Sequence, residues 1–333
     1  MAAMASRPDV PAPSRSAMKA ADDWARRGSN LAGRGQLGTI VRWLSGVQDS
    51  FPPTYPEHPR LVIFASASLA ATGTFDEGRA AEPALTGVAV ASRAGVPFRA
   101  VDPGHPPSDK PPGTLSDEGQ ETGDQAWGVA LTAQAFSAAQ STGSDIADQE
   151  TDTGTDLILL AWSGTAATRS SLALSATLLG ADPVDLTGTD SHDDDQAWIQ
   201  LHTQIRDSLW RSRSVPRRAE DLAMALADEE LVSMASFLAR CSQRRTPVLL
   251  DGPVAVSAAL LAERLAPGAR RWWQCAHVSG NPGASKALDE LQMSAWLDLE
   301  TTLQDGTAAV AALGLLGAAV AAATSPDRFR GTS

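Results

Sequence analysis

Cysteine is scarce. The 333 residues hold two, Cys241 and Cys275. That is too few for a disulfide framework, and with five scattered histidines they show no metal-ligand spacing. The expectation is therefore no metal, and nothing in the sequence asks for a cofactor. Basic charge is also short, with 27 Lys and Arg against 39 Asp and Glu, a formal charge of −12 and a pI near 4.8. Such a balance argues against gripping a nucleic-acid backbone through a general basic surface. Small anions remain possible ligands, because a helix N-terminus holds a phosphate without net positive charge. The opening stretch, MAAMASRPDVPAPSRSAMKAADDWARR, has no apolar core of the kind a signal peptide needs. The expectation is a soluble protein of the reducing cytoplasm, and no internal repeat is visible.

Apolar residues make up 43% of the chain and charged residues 20%, so a wholly disordered chain is excluded. The length suits one large α/β domain or two modest ones. Residues 307–323, TAAVAALGLLGAAVAAA, carry no charge and nearly reach the ~18 apolar residues of a membrane span. The run is mostly Ala and Gly and lacks flanking aromatic anchors. Alanine forms helix well and packs closely, so a helix buried in a large fold is expected, with no membrane.

Along the chain, residues 1–15 read as a flexible lead-in rich in Pro, Ser and Ala. Ser16–Arg27 reads as helix, and 36–48 places Leu37, Ile40, Val41, Leu44 and Val47 on one helical face. The continuous apolar runs at 61–66 and 157–162 read as strands buried on both faces. Further strands are expected at 97–102, after Pro247 and at 271–278. Residues 103–124 and 141–155 read as polar loops, with a helix at 126–140 between them. More helices are expected after Gly164 and at 194–210, 229–243 and 254–265. Alternating strands and helices indicate a mostly parallel sheet covered on both faces, with ligands outside the carboxyl ends of the strands.

Those strand ends supply the candidates. Gly164 and Thr165 lie between a strand and a helix, where a glycine admits a ligand close to the backbone; turning and capping use the same residues. Asp251-Gly252 follows an apolar run, as a functional carboxylate or an ordinary turn. His277 ends another strand and is followed by Ser279, with no partner evident for a catalytic triad. Trp272 and Trp273 read as packing residues. The acidic run Asp190 to Asp195 reads as a solvated, capped helix start rather than a cation site. Asp305 stands just before the alanine-rich helix, able to cap it or, in apolar surroundings, to serve as a general base.

The runs RRTPVLLDGPVAVSAALLAERLAPGARRWWQCAHVSGNPG and LDLETTLQDGTAAVAAL resemble the nicotinate-nucleotide–dimethylbenzimidazole phosphoribosyltransferase family. The resemblance is dense over about residues 244–320 and collinear through most of the chain. It implies a three-layer, Rossmann-like α/β domain over 16–333, with 16–55 and about 290–325 forming a small helical lobe. It also implies a homodimer. The implied reaction moves phosphoribose from nicotinate mononucleotide to 5,6-dimethylbenzimidazole or a related aromatic base, giving α-ribazole phosphate and nicotinate in cobalamin biosynthesis. The glutamate base of the family's Gly-Glu-Gly-Thr-Gly motif falls on Asp305. Its phosphate loop falls on Gly164 and Thr165, and Ser279, Asp251 and Gly252 are expected on the ribose side.

The chain also departs from the family pattern. The acid before the phosphate loop falls on Leu160 or Ala161, a lysine on Gln200 or Leu201, and an Asp-His pair on Ala67 and Ser68. An early lysine becomes Ala32, and Asp228 and Glu229 replace a glycine pair, placing negative charge where an anionic substrate would approach. Two expectations follow: a transferase with Asp305 as base, or an impaired homologue acting as a ligand-binding or regulatory partner.

Overall fold

The computed structural model describes residues 9–27, 35–65, 75–76, 79–80, 86–101, 131–164, 166–187 and 195–325. Its strands are β1 (Pro59–Ala65), β2 (Phe75–Asp76), β3 (Arg79–Ala80), β4 (Phe98–Val101), β5 (Leu157–Ser163), β6 (Val248–Leu250), β7 (Trp273–Val278) and β8 (Ala295–Asp298). Its helices are α1 (Arg15–Arg27), α2 (Gly35–Gln48), α3 (Thr86–Ala94), α4 (Ala133–Asp152), α5 (Ala166–Leu179) and α6 (Val184–Thr187). They continue as α7 (Asp195–Ser212), α8 (Ala219–Leu226), α9 (Glu229–Gln243), α10 (Pro253–Leu265), α11 (Pro282–Leu291) and α12 (Thr307–Thr324).

Six strands form one sheet in the order β4-β1-β5-β6-β7-β8, every pair parallel, while β2 and β3 make a separate small hairpin. The apolar runs read from the sequence explain this. A strand buried on both faces needs apolar side chains at every position, and Leu157 to Trp162 are all buried. Alternation then sorts them. Ile158, Leu160 and Trp162 face one layer, with Phe64, Phe237 and the apolar sides of α4, α5, α9 and α10. Leu157, Leu159 and Ala161 face the other, with α2 and α12. The expected three-layer α/β architecture is the observed one. The chain runs outward from β1 to β4 and then returns to build β5 through β8 on the other side. The direction therefore reverses between β1 and β5, the place where ligands of open α/β sheets collect.

Some sequence expectations change. The polar stretch 141–155 is not a loop, because α4 continues to Asp152. Phe136, Ala139, Gly143, Ile146, Ala147 and Glu150 form a buried stripe at helical spacing, and the polar residues between them face outward. Gly143 is there for closeness: a Cβ would overlap the Ser233 carbonyl oxygen of α9. The structure adds β2, β3, β8, α3, α6, α8 and α11 to the elements expected. Residues 9–14, expected within a flexible lead-in, are tied down: Val10 is buried, Trp272 Nε1 donates to the Pro11 carbonyl at 2.8 Å, and Ser14 N donates to Gly46 O at 2.9 Å. The loop expected at 103–124, residues 126–130 of the expected helix and the acids 190–194 lie outside the described residues.

The alanine-rich segment is α12, long and apolar enough by composition to cross a membrane. Here it lies on the sheet: Ala308, Ala309, Ala312, Leu316 and Ala319 are buried against β1, β5 and β7 residues. Small side chains let this helix approach the strands closely, and Gly306 ahead of it leaves no room for a Cβ beside Leu61.

Candidate active site

Because the strands are parallel, their carboxyl ends share one rim. At the end of β5, Gly164 holds φ 150°, a conformation that favours glycine, immediately before α5. Thr165 lies outside the described residues. At the end of β6 come Asp251 and Gly252, the latter at φ 87° ahead of Pro253, the first residue of α10. At the end of β7 come His277, Ser279 and Asn281, whose side chain accepts from Ala284 N at 3.0 Å and caps α11. Beyond β8, residues 299–306 cross back over the rim into α12.

Asp305 sits in that crossing, 7% exposed. Its Oδ1 accepts from Thr307 N at 3.1 Å and from Thr307 Oγ1 at 2.7 Å. Its Oδ2 accepts from Gly87 N, at the start of α3, at 2.9 Å. Gly87 must be glycine for this approach, since a Cβ would overlap the Asp305 carbonyl. A carboxylate offers about four acceptor positions. Three are used by the described residues, which leave one on Oδ2.

The neighbouring Gln304 ties this segment to β5 and β6. Its carbonyl accepts from Trp162 N at 3.0 Å, and its Cβ occupies the space a side chain on Gly252 would need. So the structure brings the Asp305 segment directly against the strand that ends in Gly164. Gln304 also lines a small cavity, about 40 Å³, with Thr168 and Ser171 of α5. Its Oε1 is buried with no hydrogen-bond partner among the described residues. The Trp162 ring points away, into the other layer, where Nε1 donates to Glu230 Oε2 at 3.2 Å.

Asp251 corrects an expectation. It is wholly buried, so its side chain does not line an open ribose site. Oδ2 accepts from Ala308 N and Ala309 N, both at 3.1 Å, and Oδ1 lies 3.2 Å from His277 Nε2. That last pair is a close polar contact without the alignment of an ideal hydrogen bond. Gly252 likewise spends its open face on Gln304. The pairing of Asp251 with His277 was missed from sequence. Local sequence carries no signal for it: Leu250 pairs with Cys275 across β6 and β7, which brings Asp251 level with Ala276, one residue before His277. Cys275 itself is pushed up to about 12 by burial and by the Asp251 charge.

Ser279 lines a cleft of about 480 Å³ between the start of α11 and residues 298–302. Its Oγ is buried with no hydrogen-bond partner among the described residues. Asp298 and Glu300 line the same cleft, with no Lys or Arg in its lining among the described residues. That electrostatics suits hydroxyls and N–H donors better than phosphate. The negative charge expected at Asp228 is absorbed locally. Its carboxylate caps α9 by accepting from Leu231 N at 2.8 Å and accepts from Ser170 Oγ at 2.6 Å. Burial pushes the Asp228 carboxyl above its ordinary value against those two bonds. Among the described residues no three His, Cys, Asp or Glu side chains converge as a metal site.

A family profile described as phosphoribosyltransferase matches residues 10–332. A protein of Mycobacterium avium (strain 104) named nicotinate-nucleotide–dimethylbenzimidazole phosphoribosyltransferase is 37% identical over 323 residues, covering 92% of this chain and 91% of its own. A protein of Mycobacterium tuberculosis with the same name is also 37% identical over 92% of this chain and 88% of its own. Two crystal structures from Thermus thermophilus share the fold. One bears the same enzyme name, with TM-score 0.76 at 24% identity over 92% of this chain and 95% of that one. The other is titled CobT, with TM-score 0.74 at 23% identity over 92% and 94%.

Proposed function

We infer the function from one premise: the chain belongs to the nicotinate-nucleotide–dimethylbenzimidazole phosphoribosyltransferase family. The proposed reaction takes nicotinate mononucleotide and 5,6-dimethylbenzimidazole, or a related aromatic base, to α-ribazole phosphate and nicotinate. The observation that carries it is the collinear likeness over 92% of the chain to relatives of that name.

In the reaction, an unprotonated ring nitrogen of the benzimidazole attacks C1 of the ribose. The bond from C1 to the nicotinate nitrogen breaks, and its electron pair stays with the departing ring. That ring is a pyridinium before cleavage and leaves without needing a proton. The one proton to be removed is the benzimidazole N–H, and Asp305 is proposed to take it. Its Oδ2 keeps one acceptor position, while Gly87 N and Thr307 fix the carboxylate's orientation. Gly164, Thr165 and the first turn of α5 are proposed to hold the phosphate, using backbone N–H groups at a helix start. Ser279 Oγ is proposed to meet a ribose hydroxyl. The proposal includes a homodimer acting in the cytoplasm, and light scattering at assay concentration reads the copy number; a monomer removes that part.

The test is nicotinate release from purified protein with both substrates. Release should require the base, and Asp305→Asn should lower kcat about a hundredfold or more, the usual worth of a positioned base. No release above background at high enzyme, across several benzimidazole acceptors, overturns the reading.

A further inference from the structure

Asp251 is fully enclosed, and the proposed chemistry does not use it. Its backbone is pinned to β5, with Asp251 N donating to Leu160 O at 2.9 Å. From there the carboxylate reaches the first turn of α12, taking the N–H groups of Ala308 and Ala309. Burying a carboxylate costs several kcal/mol unless its partners make up for it. Here two backbone donors, the positive end of a helix and His277 do so. Gly306, at the helix start, carries no side chain, and of the helix N–H groups Asp305 takes only Thr307 N, so the next two are left to Asp251. The Gln304 carbonyl bond to Trp162 N holds the other side of the same crossing. Asp305 lies between these two anchors.

We propose that Asp251, backed by His277, is a positioning residue for Asp305. By fixing where α12 begins, it sets where the base carboxylate sits, so its effect on the reaction passes through Asp305 alone. The inference rests on the reading of Asp305 as the base.

Asp251→Asn keeps the shape and one acceptor oxygen while removing the charge. It should lower kcat for nicotinate release by about tenfold or more, because small displacements of a reacting group are expensive. KM for nicotinate mononucleotide should stay within about threefold, as expected when the loss is confined to the transition state. In an Asp305→Asn background, read at high enzyme, the same change should cost less than about twofold, since both residues act as one unit. His277→Phe should repeat the kcat loss, and His277→Gln, which carries an N–H at similar reach, should recover most of it. An unchanged kcat in folded Asp251→Asn overturns the proposal, as does an equal loss in both backgrounds. Should Asp251→Asn not fold, the His277 variants decide, and Gln no better than Phe overturns it. A silent wild-type protein defeats the transferase reading and this inference with it; an active wild type indifferent to Asp251 defeats the inference alone.

Discussion

The two ends of the sheet neutralise buried acids in different ways. At the amino ends of the strands, Glu150 of α4 is 2% exposed and meets Arg60 at 3.1 Å and Arg99 at 2.9 Å. Beside it Asp148 takes both Arg240 and Arg244, and Arg244 also takes Asp152. At the carboxyl ends, Asp251, Asp305 and Asp228 are met by backbone N–H groups, hydroxyls and one histidine, with no arginine or lysine among the contacts described. The first arrangement is stiff, planar and permanently charged. The second spends helix starts, hydroxyls and a histidine on the acids in place of arginines.

The largest effect should come from breaking the arginine end. Glu150→Ala leaves two guanidinium groups facing each other, and removing one partner of a buried pair costs about 3–5 kcal/mol, less here because both arginines are a quarter exposed. Urea unfolding should show a loss of about 2–3 kcal/mol, with nicotinate release by the folded fraction unchanged. A loss under about 0.5 kcal/mol would mean the cluster is an ordinary surface network.

Next comes the rim. Gly87→Ala should force the start of α3 away from Asp305 and cost about 1–3 kcal/mol by overpacking, with activity falling further than stability. Gly143→Ala, which crowds α4 against Ser233 far from the rim, should cost similar stability and leave kcat alone. Equal kcat losses in the two would erase the distinction between the ends.

Smallest is the dependence on pH, and its sign differs between the ends. Burial raises the Asp148 carboxyl, but Arg240 and Arg244 outweigh it and hold the group below its ordinary 3.8. Its contribution is present above that value and fades as pH falls through the lowered one. Asp228 is raised by burial, so its relative contribution is present below the ordinary value and fades as pH rises through the raised one. The unfolding midpoint of wild type relative to Asp148→Asn should therefore improve from pH 3 to 7, and relative to Asp228→Asn decline. Matching trends would refute the contrast.

Much of the fold is legible because β1 and β5 are continuous apolar runs and α9 carries Leu231, Met234, Leu238 and Cys241 at helical spacing. The second half of α4 is not, because its buried positions include a glycine and a glutamate that become intelligible only beside Ser233, Arg60 and Arg99. The edge strand β8 has one fully covered side chain, Trp296, and gives little periodic signal. At the rim, Asp305 and Asp251 stand out as acids at element boundaries. What they touch does not, since Gly87 is 218 residues from Asp305 and Asp251 is 26 from His277, and only the strand order joins them.

The bond from Trp272 to Pro11 has a practical consequence. Trp272 stands at the amino end of β7, so residues 9–11 emerge on the underside of the sheet, opposite the cleft at Ser279. A sensor chip or resin coupled through that end would present the ligand-facing edge to the flowing solution.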